Sequence, residues 1–183
     1  APDSEPMNLH ITDKFDSGNI VVKNARDPEN IELEIRKDHG SDFYQWFHFR
    51  VSGACDEDLV MRITNAGGAA YLEGWPGYQA CASYDRETWF RIETEYSNGV
   101  LTLHHTPELD TIWFAYFAPF SMERHQDLIA AVQSCEGVSL EVLGETLDGQ
   151  TIDCLTVGEP SKKKRTIWVT ARQHPGETMA QWW

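Results

Sequence analysis

Between Ile11 and Phe120, apolar positions recur at every second residue in short runs separated by polar or glycine-bearing turns. In Trp46–Val51 (WFHFRV), Phe47, Phe49 and Val51 fall on one face, and Trp46, His48 and Arg50 fall on the other. A period of two is the pattern of a strand with one face turned to a core. Leu59–Thr64 (LVMRIT) repeats it and stops at NAGG, and Gly99–His105 (GVLTLHH) follows YSNG, a turn signal. Thr111–Phe120 (TIWFAYFAPF) is apolar at both alternations, which suits a central strand. Runs at this spacing with no helical pattern between them predict an antiparallel sandwich or barrel.

The pattern changes at Pro119. In SMERHQDLIAAVQSC, Ser121 is a candidate N-cap, Glu123 places an acid in the first turn, and Leu128, Ile129 and Val132 share a face. Together they predict an amphipathic helix of about four turns. VSLEVLGETL and QTIDCLTVG flank Asp148-Gly149, a hairpin dipeptide. Thr166–Ala171 (TIWVTA) is β-branched and apolar, and predicts a short strand for the interior of a sheet. A short helix is expected after it. This succession opens an α/β layer structure. The expected class is therefore mainly β, with an antiparallel sandwich over residues 1–118 and the incomplete N-terminal part of an α/β domain over 119–183.

Composition narrows the class of partner. The chain has 183 residues, enough for one domain or one and a part, and its seven Trp and eight Phe can build a core. A formal net charge of −14 argues against nucleic-acid and anionic-membrane partners. No apolar run reaches membrane-spanning length. The opening APDSEPMNLH lacks the basic and apolar regions of a signal peptide, so the cytoplasm is the expected compartment. The four cysteines show no Cys-x-x-Cys spacing and are expected to be buried free thiols.

The candidate chemistry lies at the end of the chain. His174 and Glu177 form a His-x-x-Glu pair around Pro175-Gly176. Zinc takes neutral imidazole and carboxylate, and a loop just beyond a strand's C-terminal end turns both toward one ion. On spacing alone the blander reading takes precedence: a Pro-Gly turn with a solvated His and a Glu capping the next helix. Arg172, two before the His, either holds a carboxylate behind the ligands or forms a simple ion pair. Elsewhere the bland readings prevail. Lys162–Arg165 reads as a solvated loop, His104 and His105 point to opposite sides of a strand, and His48 and Arg50 read as packed polar groups. Trp182 and Trp183 belong under further structure, and are open to solvent where that is missing.

RQHPGE after a strand, preceded by LGETLDGQTIDCLTVG, resembles the cytosolic carboxypeptidase subfamily of the zinc carboxypeptidases. The likeness continues upstream in FDSGN (Phe15–Asn19), WFHFRV, ITN (Ile63–Asn65), GWPGY (Gly74–Tyr78) and WFAYFAPFSMER (Trp113–Arg124). These look like the β-sandwich that precedes the α/β/α catalytic domain in that subfamily. The resemblance implies that His174 and Glu177 are the first two ligands of one Zn2+ per complete catalytic domain. It also implies a substrate, peptide or protein C-termini, with eukaryotic members acting on C-terminal or branched glutamates. The subfamily's third ligand, its general-base Glu and its carboxylate-gripping Arg have no counterpart up to Trp183. The chain by itself is therefore expected to be inactive. A non-catalytic β-sandwich binding or assembly module is the rival expectation, and a homo-oligomer is compatible with either.

Overall fold

Alternating side chains need a second sheet to bury against, and the chain builds one. The computed structural model describes residues 9–183, so the N-terminal stretch read for a signal peptide lies mostly outside the described residues. One five-stranded sheet runs in the order β1 (His10–Thr12), β4 (His48–Ser52), β10 (Thr111–Ala115), β6 (Cys81–Ser83), β7 (Phe90–Arg91), all antiparallel. The other runs β2 (Val21–Asn24), β3 (Ile31–Glu34), β5 (Leu59–Ile63), β9 (Val100–His105), β8 (Glu93–Ser97). Its one parallel pair is β3 with β5, a departure from strict antiparallel expectation. The chain between them crosses to the first sheet as β4 and returns, so β5 re-enters in the direction of β3.

Register places apolar residues in cross-strand pairs. Phe49 faces Phe114, Val51 faces Ile112, Met61 faces Leu103 and Ile63 faces Leu101, and all eight are fully buried. Each such side chain stabilises the fold by about 1.5–3 kcal/mol of transfer energy. The run read as a central strand is the third of five. The β8–β9 turn holds Asn98 at φ 51° and Gly99 at φ 78°, the left-handed pair a two-residue hairpin requires. Asn65 ties β3 to the turn after β5: its side-chain oxygen accepts from Ile35 N–H at 2.9 Å and its amide donates to Ile35 C=O at 2.8 Å.

Beyond the sandwich, α1 (Met122–Gln133) starts where the sequence predicts. Ser121 Oγ accepts from Arg124 N–H, and Asp16 Oδ2 accepts from Met122 N–H at 2.7 Å. Two of the four free N–H groups of the first turn are thus bonded, one of them by the FDSGN loop. β11 (Val138–Glu145) and β12 (Thr151–Val157) form the expected hairpin. Its tip returns to the sandwich, where the His39 ring bonds the Asp148 carboxylate.

Two expectations are corrected. Thr166–Ala171 forms no strand: Ile167, Trp168 and Val169 stand exposed. A strand exists only through ladder bonds to neighbours, and β11 and β12 pair only with each other. The thiols are all free, but only Cys81 is buried, while Cys55 and Cys135 are exposed on a loop and after α1. Among the described residues, no helix is long and apolar enough to cross a membrane.

Candidate metal centre

The loop that carries His174 and Glu177 rests on the sandwich rather than standing free of it. Tyr116 follows β10, and its N–H donates to Phe47 C=O at 3.0 Å. Its ring packs among Phe47, Trp75, Tyr78 and Phe117, and its hydroxyl accepts from Gln45 Nε2 at 3.3 Å. Gln45 is fixed at both ends, accepting from Tyr71 N–H at 2.8 Å and donating to Tyr71 C=O at 3.2 Å. Gly176 lies directly on this surface: a Cβ there would come within 2.9 Å of Tyr116 Cε1. The ring is boxed in by other aromatics, so the loop would have to lift. Gly176→Ala is therefore expected to lower the affinity of the His174–Glu177 pair for zinc roughly tenfold, the scale on which loss of outer contacts weakens metal sites. Isothermal titration with zinc, set against an unchanged near-ultraviolet dichroism spectrum, would check it.

On this seat the two candidate ligands converge. His174 Nδ1 and Glu177 Oε1 are 2.9 Å apart, His174 N–H donates to Glu177 Oε2 at 3.2 Å, and Glu177 N–H donates to His174 C=O at 3.1 Å. Their side chains are 75% and 46% exposed, so an ion can reach both. The hydrogen bond from His174 holds the Glu177 carboxyl below its ordinary range, leaving it ionised. Glu177 stands at the N-cap of α2 (Thr178–Trp182), yet its side chain caps nothing there. It turns back to His174 instead, which is not what a plain helix cap would do. Among the described residues, no group of three or more His, Cys, Asp or Glu side chains is placed to hold a metal ion. What the chain presents here is a pair of candidate donors, one imidazole and one carboxylate.

Arg172 answers neither sequence reading. Among the described residues it holds no carboxylate; its donors go to Phe120 C=O at 2.7 Å, Gln181 Oε1 at 2.9 Å and Pro175 C=O at 3.3 Å. Burial pulls its guanidinium below the ordinary range, and Asp16 opposes that shift. Trp182 is half in place, donating to Ala118 C=O at 3.2 Å and meeting Phe120 edge-to-face with Arg124 over its ring at 4.6 Å, while Trp183 is 90% exposed. Lys162–Arg165 are exposed, as a solvated loop should be. His105 packs inward against Phe90 and Phe114 and meets Tyr84 Oη at 3.2 Å, while His104 alternates to the other face.

His48 is the residue whose surroundings the sequence did not foretell. A cleft of about 660 Å³ separates the sandwich from α1 and α2, and His48 lies at its base with Ser17, Arg86 and Trp89. The side chain is 1% exposed; Nδ1 and Ser17 Oγ are 2.9 Å apart, and among the described residues Nε2 has no partner. Nor does any spacing in the sequence mark Asp16, Gln45 or Tyr116 for these contacts. Of these, only Asp16 sits in a stretch, FDSGN, whose turn-forming residues could have singled it out.

Comparison with known proteins covers nearly the whole chain. The sequence model of the cytosolic carboxypeptidase N-terminal domain matches residues 11–117. A Zymomonas mobilis protein is 54% identical over 177 residues, covering 97% of this chain and 46% of its own length. Human cytosolic carboxypeptidase 2 is 26% identical over 210 residues, covering 97% of this chain and 23% of its own. The crystal structure of a metallo-carboxypeptidase from Burkholderia cenocepacia superposes with a TM-score of 0.90 at 45% identity, over 96% of this chain and 46% of that one. The chain thus spans half or less of the length of these relatives. Its mainly β fold and its sequence agree on one placement: the chain belongs to the cytosolic carboxypeptidase family.

Proposed function

We propose that this chain carries the sandwich and the first two zinc ligands of a metallocarboxypeptidase, an exopeptidase that hydrolyses C-terminal peptide bonds, those of acidic residues among them. The observation that carries the reading is the 2.9 Å approach of His174 Nδ1 and Glu177 Oε1 on a loop seated against Tyr116. Two donors on a tetrahedral zinc, each 2.0–2.2 Å from the ion, stand about 3.4 Å apart, so this pair, hydrogen-bonded at 2.9 Å, would open by about 0.5 Å as an ion replaced the shared proton. An imidazole and an ionised carboxylate are also the donor types that zinc accepts. Zinc, when bound, acidifies a water and polarises the scissile carbonyl.

The roles of this chain's residues follow from that. His174 and Glu177 hold the ion, Tyr116 and Gln45 fix the loop that bears them, and Asp16 and Ser121 anchor the helix beside it. The third ligand, the general base and the Arg for the substrate's carboxylate belong, in this reading, to the part of the relatives' length beyond Trp183. Residues 1–183 alone are therefore expected to be inactive, since absence of a general base by itself removes about 10²–10⁴-fold. The test compares amino-acid release from peptides with varied C-termini, acidic ones included, by residues 1–183 and by the protein at its relatives' length. Release of single C-terminal residues by the longer protein only, abolished by a chelator, is the expected result. Chelator-sensitive release by residues 1–183 would mean that the catalytic groups are misplaced. No release by either form would favour the binding-module alternative.

A further inference from the structure

We propose that Arg172 is a positioning residue for the metal pair: its guanidinium ties the His174–Glu177 loop to the sandwich and to α2, and so sets the spacing of the two donors. The inference rests on the reading of His174 and Glu177 as zinc ligands. It starts from what those side chains lack. Among the described residues they are exposed and bonded only to each other and to their own loop, so no side chain bonded to them from elsewhere dictates where they stand. Their placement is inherited from the backbone, which Tyr116 seats at Gly176 and Arg172 grips at Pro175.

Arg172 sits at φ 49°, a left-handed conformation that a long side chain adopts only where its surroundings over-determine it. Its donors reach oxygens of three separate segments: Phe120 C=O at the end of the sandwich run, Gln181 Oε1 on α2, and Pro175 C=O between the two candidate ligands. The guanidinium also lies 5.9 Å from the Trp46 ring centroid. Gln181 is itself held. Its oxygen faces Arg172, so its amide donates to His125 Nδ1 at 3.4 Å. That leaves His125 Nε2 to donate to the buried Asp153 carboxylate on β12 at 2.7 Å. A continuous polar network therefore runs from the hairpin through α1 and α2 to the carbonyl between the ligands. All three of the Arg172 acceptors are neutral oxygens, so the forked geometry of the guanidinium, not charge pairing, is what the site uses. A lysine ammonium keeps the charge and loses the fork.

The experiment uses the protein at its relatives' length, with wild type, R172K, R172A and H174A side by side. Zinc dissociation constants come from chelator competition, and the visible absorption of the cobalt(II)-substituted protein reports ligand geometry. Both Arg variants should bind zinc at least tenfold more weakly, within the range known for groups that orient metal ligands. The cobalt spectrum of R172K should shift, while the unfolding midpoint of its metal-free form stays at the wild-type value. If R172A does not fold, R172K decides on the same measurements. Zinc affinity within twofold of wild type in the Arg variants, with binding lost in H174A, overturns the positioning role and leaves the metal site standing. Unchanged zinc binding in H174A overturns the metal site itself, and this inference with it.

Discussion

Cutting either His174 or Glu177 back to alanine should lower zinc affinity at least a hundredfold in the protein at its relatives' length. Structural zinc sites bind with about 10–16 kcal/mol over four ligands, or roughly 3 kcal/mol for each. Every 1.4 kcal/mol is a factor of ten, so the loss of one ligand is worth about two decades. The fold should not suffer, because these side chains touch each other and lie toward solvent rather than in the core. Glu177→Gln sharpens the test: the amide keeps nearly the carboxylate's shape but lacks the charge that His174 now stabilises. It should fall with the alanine variants, not with wild type. Elemental analysis after dialysis against buffered zinc reads the outcome. Full zinc content in both alanine variants would remove these residues from the metal site.

Much of the sandwich is written in the alternation of its residues, because a strand with one buried face must repeat with period two. The inward positions of β5 and β9 could be read directly, and so could the doubly apolar run that became β10. Local signals served equally well. Ser121 caps α1, and Asp148-Gly149 turns the hairpin, each through bonds that span a few residues. Where the reading failed, the deciding partner was distant in sequence. Thr166–Ala171 has a strand's composition, but whether it pairs depends on which segments come to lie beside it. Arg172 was expected to meet a carboxylate and instead meets a carbonyl 52 residues away, a contact without any local signature. The metal pair itself shows both cases: its spacing was visible, and the Tyr116 surface that seats it was not.

His48 was read as a packed polar group, and its burial turns it into a source of acid sensitivity. The outer face of β4 would be open to solvent in a bare strand, but here Phe15, Trp46 and Trp89 close over the imidazole with ring centroids at 4.8, 6.0 and 5.8 Å. Burial, aided by the nearby Arg86 charge, pulls its pKa from 6.5 down to about 3. Asp85, also lining the cleft, is held at about 2 by backbone N–H groups of Thr88 and Glu87, so it stays ionised above that. The sign of the linkage follows. Between pH 6.5 and 3 the unfolded chain binds a proton at this residue that the folded chain refuses, so this contribution is complete above pH 6.5 and is lost as the pH falls toward 3. From pH 7.5 to 5 the loss is about 2 kcal/mol, set by the unfolded pKa because the folded one lies well below the window. Gln at this position cannot take up a proton but still offers Ser17 a hydrogen-bond partner. His48→Gln should therefore show a shallower fall in stability over that interval, by about the same 2 kcal/mol, whatever its stability at neutral pH. Denaturant unfolding followed by tryptophan fluorescence at pH 7.5, 6 and 5 gives the comparison. Equal slopes for wild type and variant would mean that the folded protein protonates His48 as readily as the unfolded chain does.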